Sequence, residues 1–365
     1  MIRFFNIICL FIPVVLFAQE TIQTVATDET VESVESIPDS LQNEYIIDHK
    51  KQFNVKLEVS NDVSSFDVFN DDIEFNLKPN LNLRYAVVLS YKFLSVRLGL
   101  RPKISEEQKE EKGESDTFRL RFKLLFDKWN YAFEFNQDEG YYVTNTSDFS
   151  DIGSKNYIQF PDLKSNTFYA TATYKFNENY SLRAIESQTE IQTKSAGSFM
   201  PGVSFVYYGI TGTQRVKDVD GNIIERDYYN EYDGVNISLG IAYYYTLVID
   251  KYWFLNAYAV PGAGLDFYQT HTSDRDTTTD RNSNDAYLAF KYGIGGGYNG
   301  KKIFFGGNFK NRLTDEKFGS DKVRITPTNN SFSVYFGYRF KAPKTVSRPV
   351  DYIEEKVPIL KDEPN

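Results

Sequence analysis

The residues best equipped for chemistry are few and scattered. The chain has two histidines, His49 and His271, and one cysteine, Cys9. A zinc centre built from several imidazoles and thiolates is therefore excluded. His271 lies in the run Thr270-His271-Thr272-Ser273-Asp274, which offers hydroxyl, imidazole and carboxylate, the groups of a nucleophilic hydrolase. The surrounding Asp, Arg, Asn and Thr residues favour a solvated loop instead. Asp218, Asp220, Gly221 and Asn222 resemble part of a calcium loop, but the glycine follows the second Asp directly. An EF-hand sets its glycine after a third ligand position, so Asp-Gly here reads as a hairpin turn. Gly293, Gly295, Gly296 and Gly297 have no helix after them, which removes the helix N-terminus that a phosphate cradle needs. Such glycines suit a strand bent tightly. No catalytic residue, metal or cofactor is expected.

The elements that would position any site are strands. With 365 residues, 30 Phe, 27 Tyr and 25% charged residues, the chain is too aromatic for disorder. It also lacks the roughly 18–20-residue uncharged run of a membrane helix. Residues 1–18 have the form of a signal peptide: Arg3, an apolar stretch from Phe4 to Phe17, and the small Ala18. An exported chain of net charge −9 has no electrostatic footprint for nucleic acid. Residues 19–52 read as a flexible acidic periplasmic arm, carrying eight acids between Glu20 and Asp48, and residues 341–365 as a Pro-rich charged tail hanging in the periplasm.

Between the arms, 53–340, the pattern has period two. Phe118, Leu120, Phe122, Leu124 and Phe126 alternate with Thr117, Arg119, Arg121 and Lys123. Strands send such residues to opposite faces. Similar stretches at 83–91, 94–101, 117–126, 129–136, 166–176, 180–190, 201–211, 235–247, 252–268, 285–298, 301–312 and 331–340 make twelve strands. Many run to about ten residues or more, the length that crosses a bilayer when tilted. Tight turns near 92–93, 127–129, 176–180, 250–252 and 299–301 alternate with long polar loops at 102–116, 144–165, 212–234, 270–284 and 313–329. The expected fold is all-β: a transmembrane antiparallel up-and-down β-barrel of about twelve strands, the alternative being fourteen with a strand at Ile73 to Leu77. One conflict stands inside that count, because three strands lie between loops 144–165 and 212–234 where strict alternation requires an even number. The last strand ends on Phe340 with an unbroken apolar face, as terminal strands of outer-membrane barrels do.

The run Gln192, Thr193, Lys194, Ser195, Ala196, Gly197, Ser198, preceded by Arg183 and Ala184, resembles an uncharacterised family of Gram-negative outer-membrane barrels. Pro79-Asn80, Glu139-Gly140-Tyr141-Tyr142 and Pro161-Asp162-Leu163 fit it at plausible spacings. The resemblance implies a barrel in the outer membrane and carries no activity. From the residues alone, Gln192, Lys194, Ser195, Gly197 and Ser198 read as a polar lumen-facing turn, since the Gly-x-Ser-x-Gly of a nucleophile elbow is missing.

Opposite the apolar face lie Arg84, Arg97, Arg101, Arg119, Arg121, Lys123 and Arg183, with Glu134 and Glu190 among few acids. Charge near the bilayer midplane on the lipid side costs roughly 2–4 kcal/mol, so this basic ladder is placed inside. It is either an interior set of ion pairs filling a small barrel or an anion-attracting pore. A structural or accessory, non-enzymatic outer-membrane protein is expected, with a passive porin-like channel as alternative and an outer-membrane hydrolase as the second alternative. Its expected partners are outer-membrane lipid and, through the arms, a periplasmic protein or the cell wall. The acidic arm is also a candidate to rest against the basic lumen, against a plain spacer as the other reading.

Overall fold

Alternating residues close into a wall. The computed structural model describes residues 44–356, apart from 62–64, 71–72, 82, 101–102, 150–155, 213–214, 226–228, 275–276, 315–317, 321–322 and 328–329. The signal segment, most of the arm, Arg101 and residues 357–365 lie outside the described residues.

Twelve strands form the ring. They are β1 (Gln52–Ser60), β2 (Arg84–Tyr91), β3 (Leu94–Leu100), β4 (Asp116–Leu125), β5 (Trp129–Val143) and β6 (Gln159–Tyr174). The circle continues through β7 (Ala196–Thr211), β8 (Tyr229–Ile249), β9 (Trp253–Asp274), β10 (Thr277–Asn299), β11 (Ile303–Thr314) and β12 (Asn330–Lys341). Each pairs antiparallel with its neighbour, and β12 closes on β1 in a ladder from Gln52↔Lys341 to Ser60↔Ser333. Closure leaves no sheet edge, the condition for a sheet to stand in lipid.

The outward residues are apolar and exposed. Leu239 is 68% exposed and Leu255 53%, whereas the inward Asn236 and Asn256 are 2% and 8%. On β9 the outward apolar row runs from Trp253 to Phe267 before Gln269 begins a polar extension. At about 3.3 Å per residue and a tilt near 40°, that row climbs roughly 35 Å, enough for the hydrocarbon layer. An aromatic belt marks the end with tight turns. Trp129 packs edge-on against Tyr174 at 5.1 Å, and Trp253 against Tyr298 at 5.3 Å and Phe305 at 5.7 Å.

The strand count holds, but its membership changes. Segment 180–190 is not a wall strand. Ser181 caps a short helix, α2 (Leu182–Glu186), by accepting from the Ala184 amide at 2.9 Å. Tyr180, Ser181, Leu182 and Arg183 are all buried, so both sides of the apparent alternation face protein. Its place in the ring is taken by β1, whose Phe53, Val55, Leu57 and Val59 alternate with Asn54, Lys56, Glu58 and Ser60. The odd number between the loops disappears with this exchange.

The long connections also carry structure. Segment 102–116 contains α1 (Glu106–Lys112). Loop 270–284 is the continuation of the β9–β10 hairpin beyond the apolar row. Ile73–Lys78 is a strand, but it pairs with Phe66–Asn70 and touches β5 only at Leu77↔Val143 and Lys78↔Tyr142, so no fourteen-strand ring forms. A bulge at Gly140 (φ 83°) turns Tyr141 and Val143 inward. An added Cβ there would stand 2.2 Å from the Glu114 carbonyl oxygen, so glycine is needed. Phe66 and Leu77 then pack with Tyr141, Val143, Leu163, Tyr208, Tyr232 and Tyr268 in an apolar cluster at the loop end.

The two arms are not wholly free. Ile46–Asp48 pairs with Glu190–Gln192, and residues 344–356 form helix α3 (Lys344–Lys356), whose Val346 and Val350 cover Tyr91 and Phe93. The Pro-rich composition is compatible with this because Pro349 is exposed and the helix is held by packing.

Candidate functional site

The lumen is built from polar side chains that the strand period turns inward. Arg84 donates to Asp138 at 3.1 Å, and Arg119 approaches the other Asp138 oxygen at 3.6 Å. Arg97 donates to Glu58 at 2.9 Å, and Arg121 pairs with Glu134, its direct cross-strand neighbour, at 2.5 Å. Lys123 reaches Glu186 on α2. Arg84, Arg97, Arg119, Arg121 and Lys123 are therefore on the wall and facing in, each with an acid beside it, while Arg101 lies outside the described residues. Arg119 and Arg121 of β4 pair with β5, Arg84 of β2 also reaches β5, Arg97 of β3 reaches past β2 to β1, and Lys123 reaches the plug, so the pairs brace the ring as well as neutralise it.

Arg183 is elsewhere. It belongs to α2, in a segment that runs inward from the β6–β7 connection and fills the turn end of the lumen. Its guanidinium donates to the Leu125 carbonyl at 2.7 Å, to Asp127 at 2.5 Å and to Glu190 at 2.8 Å. Wall residues from around the ring hold this plug. Asn54 of β1 donates to the Ser187 and Gln188 carbonyls at 3.0 and 2.7 Å, and Lys56 to the Glu186 carbonyl at 3.2 Å. Asn299 of β10 donates to the Ala184 and Glu190 carbonyls, both at 3.1 Å. Arg339 of β12 donates to the Gln188 carbonyl at 2.6 Å. Gln188, Thr189 and Ile191 are completely buried. These are backbone carbonyls satisfied by side chains, which is how irregular chain is stabilised away from water.

Charge is balanced within the plug. Burial alone would push the Glu190 carboxyl up, but Arg183, Lys50 and the Ser181 hydroxyl hold it below its ordinary value. Burial would likewise raise Glu186, yet Lys123, Lys310 and Lys56 around it keep it well below the carboxylate range. His49, behind the plug, is pushed down to about 4 by burial and by the charges of Arg339 and Lys301.

The motif residues anchor the plug's root. The Gln192 amide accepts from the Ser181 N–H at 2.7 Å and donates to the Asn179 carbonyl at 2.7 Å and the Tyr45 carbonyl at 3.2 Å. Lys194 pairs with Glu44. Ser195 accepts from the Val248 amide at 2.9 Å, and Ser198 accepts from the Asn177 amide at 3.0 Å. A Cβ on Gly197 would stand 2.7 Å from the Tyr244 carbonyl, so this crossing needs the bare backbone. The run is a structural joint between wall and plug.

The remaining candidates stay apart from it. His271 is on β9 beyond the apolar row, opposite Glu231 and Asp280. Asp218 accepts from the Asp220 and Asn222 amides at 3.0 and 2.8 Å, closing a turn with Gly221 at φ 88°. That is the hairpin read from Asp-Gly. Gly293 faces inward beneath the Tyr258 ring, 2.5 Å from a hypothetical Cβ. Among the described residues, no three His, Cys, Asp or Glu side chains converge as a metal site would need. Sequence reading missed Glu58, Asp138 and Glu186 as counter-charges. Glu58 and Asp138 occupy inward parity positions, but Glu186 is brought in by the plug, which strand periodicity cannot show.

A family model described as a domain of unknown function, DUF4421, matches residues 38–340. The chain belongs to this family. The match covers the end of the arm, the plug and the wall as far as Phe340, and stops before α3. Among curated proteins none matches. Solved structures of similar fold include the outer-membrane protease OmpT of Escherichia coli, 8% identical, covering 81% of this chain and 99% of its own, with TM-score 0.39. The β domain of the Bordetella autotransporter BrkA is 10% identical, covering 79% of this chain and 100% of its own, TM-score 0.38. The Pseudomonas putida toluene transporter TodX is 11% identical, covering 83% of this chain and 92% of its own, TM-score 0.27.

Proposed function

We propose that this DUF4421 protein is a sealed, non-enzymatic barrel of the Gram-negative outer membrane, exported by a cleaved signal peptide, with a structural or accessory role. The observation that carries this reading is the plug. A passive pore gains nothing from a buried segment bonded to β1, β10 and β12 at once. In outer-membrane barrels the short turns face the periplasm, so the arm and α3 are placed on that side, available to a periplasmic protein or the cell wall. Planar-bilayer recording of the full-length protein tests it: silence at neutral pH supports a sealed barrel, and steady conductance contradicts it.

A gated anion pathway is the second reading. It is favoured by Lys310, which faces inward beside Glu186 and yet remains exposed to water. If the plug moves, the freed Lys56, Lys123 and Lys310 would line the opening and favour anions. Reversal potentials under a salt gradient, measured on a plug-weakened variant, separate this from a non-selective leak.

A further inference from the structure

Among the described residues, the outward face of the wall is largely bare, and the patch around Tyr91 and Phe93 departs from this. Tyr85 and Leu57 are 44% and 58% exposed, but Tyr91, on the same outward row of β2, is 6% exposed and Phe93 is 7%. What covers them is α3. Val346 and Val350 pack on Tyr91 and Phe93, flanked by Phe53, Leu94, Leu124 and Phe126. Phe126 in turn neighbours Tyr131 of the aromatic belt at 6.3 Å. The helix therefore lies along the outside of the barrel, level with the belt at the turn end.

Its charges are sorted. Asp351 and Glu354 point back to the wall, where Lys92 pairs with Asp351 at 2.6 Å and with Glu354, and the Tyr91 hydroxyl donates to Asp351 at 3.3 Å. The opposite side keeps Lys344, Arg348 and Lys356 exposed, with Glu355 as its acid. Tyr352, one turn from both Arg348 and Lys356, stands out among these bases at 61% exposed, and Ile353, at the edge of the stripe begun by Val346, is 46% exposed. Lys356 lies over the Tyr352 ring at 5.8 Å. A helix with an exposed Tyr in a basic face and an exposed Ile at that face's apolar border, sited beside an aromatic belt, has the chemistry of an interfacial anchor.

We propose that α3 lies in the phospholipid headgroup layer, inserting Tyr352 and Ile353 and binding anionic headgroups through Lys344, Arg348 and Lys356. Lys92 makes this possible by withdrawing the two carboxylates that would repel such lipids. The proposal rests on the membrane reading of the barrel.

The test uses the processed protein, which carries no cysteine once the segment with Cys9 is removed, reconstituted in phosphatidylcholine vesicles with or without phosphatidylglycerol. An environment-sensitive fluorophore is attached to Ile353→Cys, to Leu239→Cys on the wall, or to Asp220→Cys in the exposed hairpin. Headgroup-nitroxide lipid should quench the probe at position 353 several-fold more than the probe at 220. Phosphatidylglycerol should increase that quenching, and Arg348→Glu combined with Lys344→Glu should abolish the increase. If iodide in water quenches position 353 as strongly as position 220, or if phosphatidylglycerol has no effect, the proposal fails. Lipid-borne quenching at position 239 keeps the membrane reading standing in either case, and its loss there would overturn the membrane reading itself.

Discussion

Arg183 of the plug helix and Asp127 at the β4–β5 turn meet at 2.5 Å, and the same guanidinium reaches Glu190 at 2.8 Å. One side chain thereby ties the buried insertion to the rim of the wall and to its own returning strand. Arg183→Ala should strip Glu190 of its nearest cation and leave Lys50 at 3.8 Å as the remaining one. Breaking a buried pair by removing one partner costs about 3–5 kcal/mol, and the residual lysine puts this case at the low end. Maleimide labelling of a Thr189→Cys reporter should accelerate by about a hundredfold. Unchanged labelling would mean that Arg183 does not hold the plug.

The plug should also loosen in acid, in two stages. His49 has a folded value near 4 against an ordinary 6.5, so the unfolded form binds the extra proton first and stability falls as pH drops from 6.5 to about 4. Glu190 and Glu186 are held below their ordinary 4.5; their contribution is present above 4.5 and lost on further acidification. Measured against a free thiol at the same pH, which cancels the loss of thiolate in acid, the Thr189→Cys reporter should therefore react relatively faster by pH 5, and His49→Gln should flatten the change between pH 6.5 and 4 while leaving the lower stage. An unaltered profile in His49→Gln would assign the upper stage to another group.

In the middle of the lumen, Asp138 is 1% exposed and serves both Arg84 and Arg119. Asp138→Asn should destabilise the barrel by about 3–5 kcal/mol, because two buried guanidinium groups lose the carboxylate they share. Urea-induced loss of the compact, heat-modifiable gel band measures this. Adding Arg84→Met should recover part of the loss, and a purely additive double variant would refute the shared-charge arrangement.

Two glycines separate crowding from simple curvature. A Cβ at Gly297 would stand 2.1 Å from the Phe305 carbonyl oxygen, whereas at Gly307 its nearest contact is an ordinary 3.4 Å. Gly297→Ala should cost about 1–3 kcal/mol, as overpacking does. Gly307→Ala should stay within about 0.5 kcal/mol of wild type. Equal effects in urea titrations would show that the β10–β11 approach is not tight.

What the sequence revealed follows one rule. Wherever a strand separates lipid from lumen, its period of two is readable, as in Phe118 to Phe126 or Phe332 to Phe340. The inward bases of β2, β3 and β4 were legible for the same reason. The signal failed where burial is all-round: Tyr180, Leu182 and Ala184 mimic a strand because apolar residues happen to alternate, but Ser181 and Arg183 between them are buried as well. Composition failed at α3, where Pro and mixed charge read as a free tail although Val346 and Val350 supply a packing stripe at helical spacing. The joint at Gln192 to Ser198 was picked out by family resemblance, and its role became visible only through bonds to Tyr45, Ser181 and Val248.

Single-channel recording at neutral pH, comparing wild type with Arg183→Ala combined with Asn299→Ala, tests the sealed barrel most directly. The account predicts a silent wild type and discrete, anion-favouring openings in the double variant. Steady openings of equal size in both proteins would contradict it.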